Sequence, residues 1–338
     1  MRAALLREYH SRLELVDHPT PEITRPDEVL VKVGGAGVCA TDLHAIEGLM
    51  EPAGVTLPRV LGHENAGWVE AVGALVTTVS PGDPVILYPP YSCGLCVPCR
   101  RGDDIHCVNH DFTGLSLDGG FADFVLVRER SVIKLPDGLA PGEVAPHADA
   151  GLTAYHAVRR MAHLMRPGTT TVVTGIGGVG HIAVQLAALG GADVTAVTRT
   201  ERADAVRRYG ARTVVAGVDE TDGPFDIVLE SVGGGALDAA IGRVAPGGTI
   251  LVFGNSSREP SSFDFTSFFG HEEATVRTYF SARHEADAGA HLGMLLDLVA
   301  AGRLEVEIGF RDSWDRLNDG LEGLTARRFA GKAVLTID

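Results

Sequence analysis

Residues 37–64 read GVCATDLHAIEGLMEPAGVTLPRVLGHE, with a thiol, Cys39, near one end and an imidazole, His63, near the other. Thiolate sulfur and imidazole nitrogen are ligands that zinc favours. Thr41, Asp42, His44 and Glu64 stand beside them in the chain. A small hydroxyl and a second histidine are the groups through which a proton leaves a buried reacting oxygen. The stretch therefore points to metal-assisted proton chemistry.

Four more cysteines, Cys93, Cys96, Cys99 and Cys107, form C-x2-C-x2-C-x7-C. Four thiolates at such spacing close a tetrahedron around one zinc and leave no open position, so the site staples a loop and does no chemistry. The rivals are an iron–sulfur cluster and two disulfides. The run lacks the ferredoxin continuation of a fourth Cys followed by Pro, and a reducing compartment disfavours disulfides. Structural zinc is the expectation.

A third motif, VVTGIGGVGHIAVQLAALGGADVTAV, carries Gly175, Gly177 and Gly180 as G-x-G-x-x-G, with Gly178 and Val179 between them. It follows an apolar run and opens a helical one. In that context the glycines allow a tight turn, and the helix N-terminus offers N–H groups to a pyrophosphate. The alternative is an ordinary tight turn with no nucleotide. The next strand ends Val197-Thr198-Arg199-Thr200, with Arg202 close behind. An NAD site expects a carboxylate at that tip to hold the ribose hydroxyls. Here Thr198 can donate to a 2′-phosphate, Arg199 can pair with it, and no carboxylate repels it. NADP(H) is expected over NAD(H). The competing reading makes Thr198 and Arg199 a solvated strand end, with Glu201 as a displaced ribose partner and Arg202 facing solvent.

The elements that must position these groups fall into two patterns. In a chain of 338 residues, 45% hydrophobic and 22% charged, two domains with sizeable cores are expected. Up to about residue 147 the runs are short and β-like: Val29, Val31 and Val33 alternate with Leu30 and Lys32, and 68–72, 85–88 and 124–127 follow, separated by Gly/Pro turns. That suggests a barrel-like β domain. From Thr171 strands and helices alternate through 171–174, 193–197, 213–215, 226–229, 249–253 and 275–279, which predicts a doubly wound parallel sheet. Leu292, Leu295, Leu296 and Val299 then line one face of a helix, and the apolar strand 332–337 has no partner in that sheet. The net charge of −15 argues against nucleic-acid and anionic-membrane partners. With no apolar run long enough to span a bilayer and no signal-peptide pattern, a cytoplasmic protein is expected.

The motifs GVCATDLH, LGHENAG, the cysteine lobe, DGGFADFVLV, DAGLTAYHAV and GIGGVGHIAVQLA occur in this order. With them the whole chain resembles the zinc-dependent medium-chain dehydrogenases of the alcohol dehydrogenase family. The resemblance implies an α/β chain. A GroES-like β-rich catalytic domain would span 1–147 and 286–338, and a Rossmann dinucleotide-binding domain 148–285. It implies two zinc ions per subunit and a homodimer or homotetramer, the last parallel strand being an edge that can pair across a two-fold axis. Cys39 and His63 take two catalytic-ligand positions. The third falls on Asp149, where the best-known members have Cys, with His147 the rival. Asp42 corresponds to the carboxylate that orients the ligand histidine, and Glu64 to one beside the metal. Both also read as structural residues, a cap and a buried partner. Thr41, the nicotinamide ribose and His44 correspond to a proton relay. Val179 and Thr153 correspond to neighbours of the nicotinamide, though either suits a core. The implied reaction passes a hydride between NADP(H) and an alcohol/aldehyde/ketone pair. Apolar Ile46, Leu49, Met50, Pro89, Tyr91 and Leu115 suggest an aliphatic or aromatic substrate. Polyol or amino-alcohol oxidation, zinc-independent C=C reduction and a non-catalytic NADPH-binding protein are the other readings.

Overall fold

Val29, Val31 and Val33 are fully buried while Lys32 faces water, as a period of two requires. They belong to an eleven-residue strand, Glu28–Val38, the spine of a seven-stranded sheet. The strand Glu64–Val72 runs antiparallel along one side of it, with register shifts at Leu30/Val31 and Val33/Gly35. The other side is shared. Phe124–Arg128 pairs with its first half and Lys332–Thr336 with its second, both antiparallel. The closing strand thus returns to the N-terminal unit, where Ile308–Ser313 pairs with it in parallel. Pro84–Leu87 and Val132–Lys134 extend the far edge. Ala3, Leu6, Val31, Leu61, Phe121, Trp314 and Leu335 share one core beneath.

The second sheet has six strands, in the order Thr213–Val215, Asp193–Val197, Thr170–Thr174, Phe225–Glu230, Val244–Val252, Thr275–Thr278, every neighbour parallel. The chain winds outward from Thr170–Thr174, then crosses back to the other side of that strand. The loops after Thr170–Thr174 and Phe225–Glu230 therefore diverge, and such a point is where open α/β sheets bind ligands. Ser231 Oγ donates to Thr174 O at 2.8 Å and Thr174 Oγ1 donates to Glu230 at 3.0 Å, which ties the two strand ends together. The fold is thus a GroES-like β unit with a Rossmann-type parallel sheet.

This computed structural model describes residues 1–337 apart from 282, 284 and 286. Two compact units emerge, Met1–Leu152 with Ser281–Asp338, and Thr153–Phe280. Ala286 and Asp338, the limits of the second catalytic segment as drawn from sequence, lie outside the described residues. Among the described residues no helix is long and apolar enough to cross a membrane.

Candidate active site

Cys39 stands where the strand Glu28–Val38 gives way to the helix Ala40–Ile46. Its N–H donates to Asp42 Oδ2 at 2.9 Å, so Asp42 caps the helix while its other oxygen is used elsewhere. His63 immediately precedes Glu64–Val72, and Asp149 precedes the helix Ala150–Arg160. One donor atom from each of Cys39, His63 and Asp149 lies within 4.8 Å of the other two. Asp149 Oδ2 is 3.8 Å from Cys39 Sγ and 3.6 Å from His63 Nε2. Donors held tetrahedrally at zinc-ligand bond lengths sit about 3.3–3.8 Å apart, so these spacings fit.

His63 supplies a second sign of fit. Its ring is buried, and Nε2 has no hydrogen-bond partner. Nδ1 lies 3.1 Å from Asp42 Oδ1. A carboxylate on Nδ1 keeps the proton there and turns the Nε2 lone pair toward the sulfur and the carboxylate. Burial acts to raise the Asp149 carboxyl, but the neighbouring His63 imidazole and the hydrogen bond from Ser281 hold it down at about 2, so it is ionised. His147 is not part of this donor set. It is buried on the turn Ala145–Ala148, with its ring against Gly151.

Glu64 is fully buried behind the donors. The Lys332 ammonium lies 2.9 Å from its Oε1 and 2.8 Å from its Oε2, and also donates to Val38 O at 2.9 Å. Ala150 N–H adds a second donor to Glu64 at 3.2 Å. The negative charge of Glu64 outweighs the burial of Lys332 and holds its pKa above the ordinary value. A Cβ on Gly37 would meet Glu64 Oε2 at 2.0 Å, so only glycine leaves room for this carboxylate. Thr41 Oγ1 is 3.8 Å from Cys39 Sγ, and His44, half-buried, follows three residues later on the same face of the helix.

The four lobe cysteines are free, and one sulfur from each lies within 4.8 Å of the rest. Cys96–Cys99, Cys93–Cys107 and Cys96–Cys107 are 3.4, 3.6 and 3.9 Å apart. A tetrahedron with zinc–sulfur bonds of ~2.3 Å has edges of about 3.8 Å. Backbone N–H groups of Leu95 and Cys96 point at Cys93 Sγ and lower its pKa to about 6, favouring thiolate.

In the parallel-sheet unit Gly175 has φ +77°, a conformation glycine adopts without strain. A Cβ on Gly180 would strike Gly175 O at 2.1 Å, so the helix Gly180–Leu189 packs directly on the turn. A Cβ on Gly177 would meet nothing within 4 Å: that face of the loop is open to an approaching pyrophosphate. Gly178 and Val179, both half-buried, complete the turn. Thr198 N donates to Val215 O at 2.9 Å, while the Arg199 side chain is exposed at the strand tip. Arg202 reaches back and donates to Ile176 O in the glycine loop instead of running into solvent. Thr153 is buried in the first turns of Ala150–Arg160.

Residues 25–137 match the alcohol dehydrogenase GroES-like domain, and residues 178–292 the zinc-binding dehydrogenase domain. An alcohol dehydrogenase from Moraxella sp. (strain TAE123) is 32% identical, over 99% of each chain. A D-arabinose 1-dehydrogenase (NADP(+)) from Saccharolobus solfataricus is 30% identical, over 99% of this chain and 97% of that protein. The crystal structure of the alcohol dehydrogenase from Aeropyrum pernix superposes with a TM-score of 0.88 at 34% identity, covering 100% of both chains.

The chain belongs to the zinc-type medium-chain alcohol dehydrogenases. It is therefore an oxidoreductase acting on an alcohol, and the metal-compatible clusters described above lie in a chain of a zinc-binding family. Within this alcohol dehydrogenase two polar residues escape a reading of the sequence. Lys332 sits in an otherwise apolar closing strand, and Ser281 donates to Asp149 Oδ1 at 2.8 Å from 132 positions away. Neither carries a local motif. Of the apolar residues suggested for the substrate, Leu115 is instead core, Ile46 and Met50 pack on that core, and Leu49 is exposed.

Proposed function

We propose that this chain is an NADP(H)-dependent zinc alcohol dehydrogenase that also reduces aldehydes and ketones. Its catalytic zinc is held by Cys39, His63 and Asp149, and a structural zinc by Cys93, Cys96, Cys99 and Cys107. The observation that carries the reading is the buried, unpartnered His63 Nε2 facing a thiol and an ionised carboxylate. Zinc bound there supplies a Lewis acid that polarises the substrate oxygen and lowers the pKa of an alcohol. Asp42 orients His63 and Glu64 balances Lys332 behind the donors, while Thr41 and His44 carry the proton outward. The unit Met1–Leu152 with Ser281–Asp338 holds these groups, and the unit Thr153–Phe280 the dinucleotide, with Gly175, Gly177, Gly178 and Gly180 under its pyrophosphate. Val179 and Thr153 pack near the nicotinamide.

Thr198 and Arg199 favour NADP(H), because a 2′-phosphate there meets a hydroxyl and a guanidinium and no carboxylate. Arg202, already turned toward the glycine loop, adds positive charge nearby. Relatives named NAD-dependent make this the finer part of the reading. The test follows nucleotide absorbance with aliphatic and aromatic alcohols and carbonyls, and with an aldose such as D-arabinose, using both nucleotides. NADPH is expected to be the better substrate, and Arg199→Asp to lower kcat/KM for NADPH by about 10²-fold. That figure is the loss of one charge-assisted contact plus repulsion. Equal rates with NADH in the unmodified enzyme contradict the phosphate reading. Turnover of the aldose alone moves the substrate class to sugars, as the name of the Saccharolobus relative suggests.

The strand Thr275–Thr278 forms one edge of the parallel sheet with all four residues exposed, and Phe263, Phe265, Phe269 and Phe280, in the chain segments that flank it, are exposed too. An unpaired edge with an apolar border suits pairing with the same edge of a second copy. Light scattering should give a dimer or a multiple of it, and Val276→Asp should shift it toward monomer. A monomeric unmodified protein contradicts this.

A further inference from the structure

Asp149 has two oxygens, and the protein treats them differently. Oδ2 faces the donor set, 3.6 Å from His63 Nε2 and 3.8 Å from Cys39 Sγ. Oδ1 accepts a hydrogen bond from Ser281 Oγ at 2.8 Å. A carboxylate binds a metal through one oxygen or through both. Bound through one, together with a thiolate and an imidazole, it leaves zinc a fourth, open position. Bound through both, it fills or distorts that position. A hydroxyl bonded to Oδ1 takes up one of its lone pairs and so competes with a second metal bond, and it also fixes the rotation of the carboxylate plane.

We infer that Ser281 is a positioning residue that keeps Asp149 a one-oxygen ligand and so keeps the fourth zinc position free for substrate. This rests on the reading that Cys39, His63 and Asp149 hold the catalytic metal. The residue suits the task chemically. A Cys in the third-ligand position has a single donor atom and needs no such control, whereas a carboxylate has two. Hydrogen bonds to ligating groups of this kind typically change metal affinity or activity by about 10–100-fold when removed.

The test loads the full chain with zinc in the cysteine lobe and cobalt(II) in the second site, and records the visible spectrum. Cobalt reports coordination number directly: four-coordinate sites absorb much more strongly than five-coordinate ones. The unmodified protein should show a strong four-coordinate spectrum with a thiolate charge-transfer band, absent from Cys39→Ala. Ser281→Ala should weaken the visible bands toward the five-coordinate pattern and lower zinc affinity, measured by chelator competition, by about 10–100-fold. Ser281→Thr and Ser281→Val form an isosteric pair in case the alanine variant does not fold. The hydroxyl-bearing threonine should keep the original spectrum and the valine should lose it. A Ser281→Ala or Ser281→Val protein with unaltered spectrum and affinity overturns the inference and leaves the metal site standing. A protein whose cobalt spectrum lacks the Cys39 charge-transfer band overturns the metal reading itself, and the inference with it.

Discussion

Cys39→Ala should lower kcat/KM for alcohol oxidation by at least about 10³-fold and should remove one zinc ion per chain while leaving the other. The magnitude comes from the several kcal/mol by which a Lewis acid stabilises charge on a reacting oxygen, each ~1.4 kcal/mol being tenfold. The selectivity comes from the structure, because Cys39 shares its site with His63 and Asp149 and none of the four lobe cysteines belongs to it. Folding should survive, since Cys39 is half-buried at a helix start and its N–H bond to Asp42 does not involve the sulfur. Elemental analysis beside initial rates reads both effects. A Cys39→Ala protein that keeps full activity would favour zinc-independent reduction of a C=C bond.

Lys332→Ala should destabilise the fold by about 3–5 kcal/mol, the usual cost of leaving one partner of a buried ion pair without its counter-charge. Lys332 is 4% exposed and Glu64 0% exposed, and among the described residues no second cation is bonded to Glu64. Removing both charges should recover most of the loss, so Lys332→Met with Glu64→Gln should be more stable than Lys332→Ala alone. Urea unfolding of the metal-loaded protein measures the difference. A loss below about 1 kcal/mol for Lys332→Ala would place the pair in the weak, solvent-screened class and contradict its structural weight.

The donor set was legible in the sequence because few residue types bind zinc and two of them bracket one short stretch. The choice of Asp149 over His147 needed the family resemblance. The structure adds a physical reason: the turn Ala145–Ala148 folds the His147 ring back against Gly151, while Asp149 faces His63. The six parallel strands were legible from alternating apolar runs, though Val244–Val252 begins earlier than expected because its Pro246-Gly247-Gly248 reads as a turn. Glu64–Val72 likewise begins at the polar ENAG, which has little intrinsic β preference and is held in place by pairing with Glu28–Val38. Lys332 was not legible. Its partner Glu64 is 268 residues away, and a lone lysine in an apolar strand looks like an exposed edge charge until Ala333–Leu335 pair with Ala36–Val38. Ser281 was missed for the same reason: its contact with Asp149 is made by the fold and has no local pattern. Arg202 was identified by type, but its turn toward Ile176 depends on the 3-10 turn Thr200–Arg202.

The most direct measurement is nucleotide-coupled turnover during zinc removal and return. Protein stripped with a chelator should lose alcohol-dependent NADP⁺ reduction. It should regain it as zinc is added back, with no recovery in Cys39→Ala treated the same way. Zinc-free protein, verified by elemental analysis, that still turns over at the original rate would contradict a catalytic metal at Cys39, His63 and Asp149.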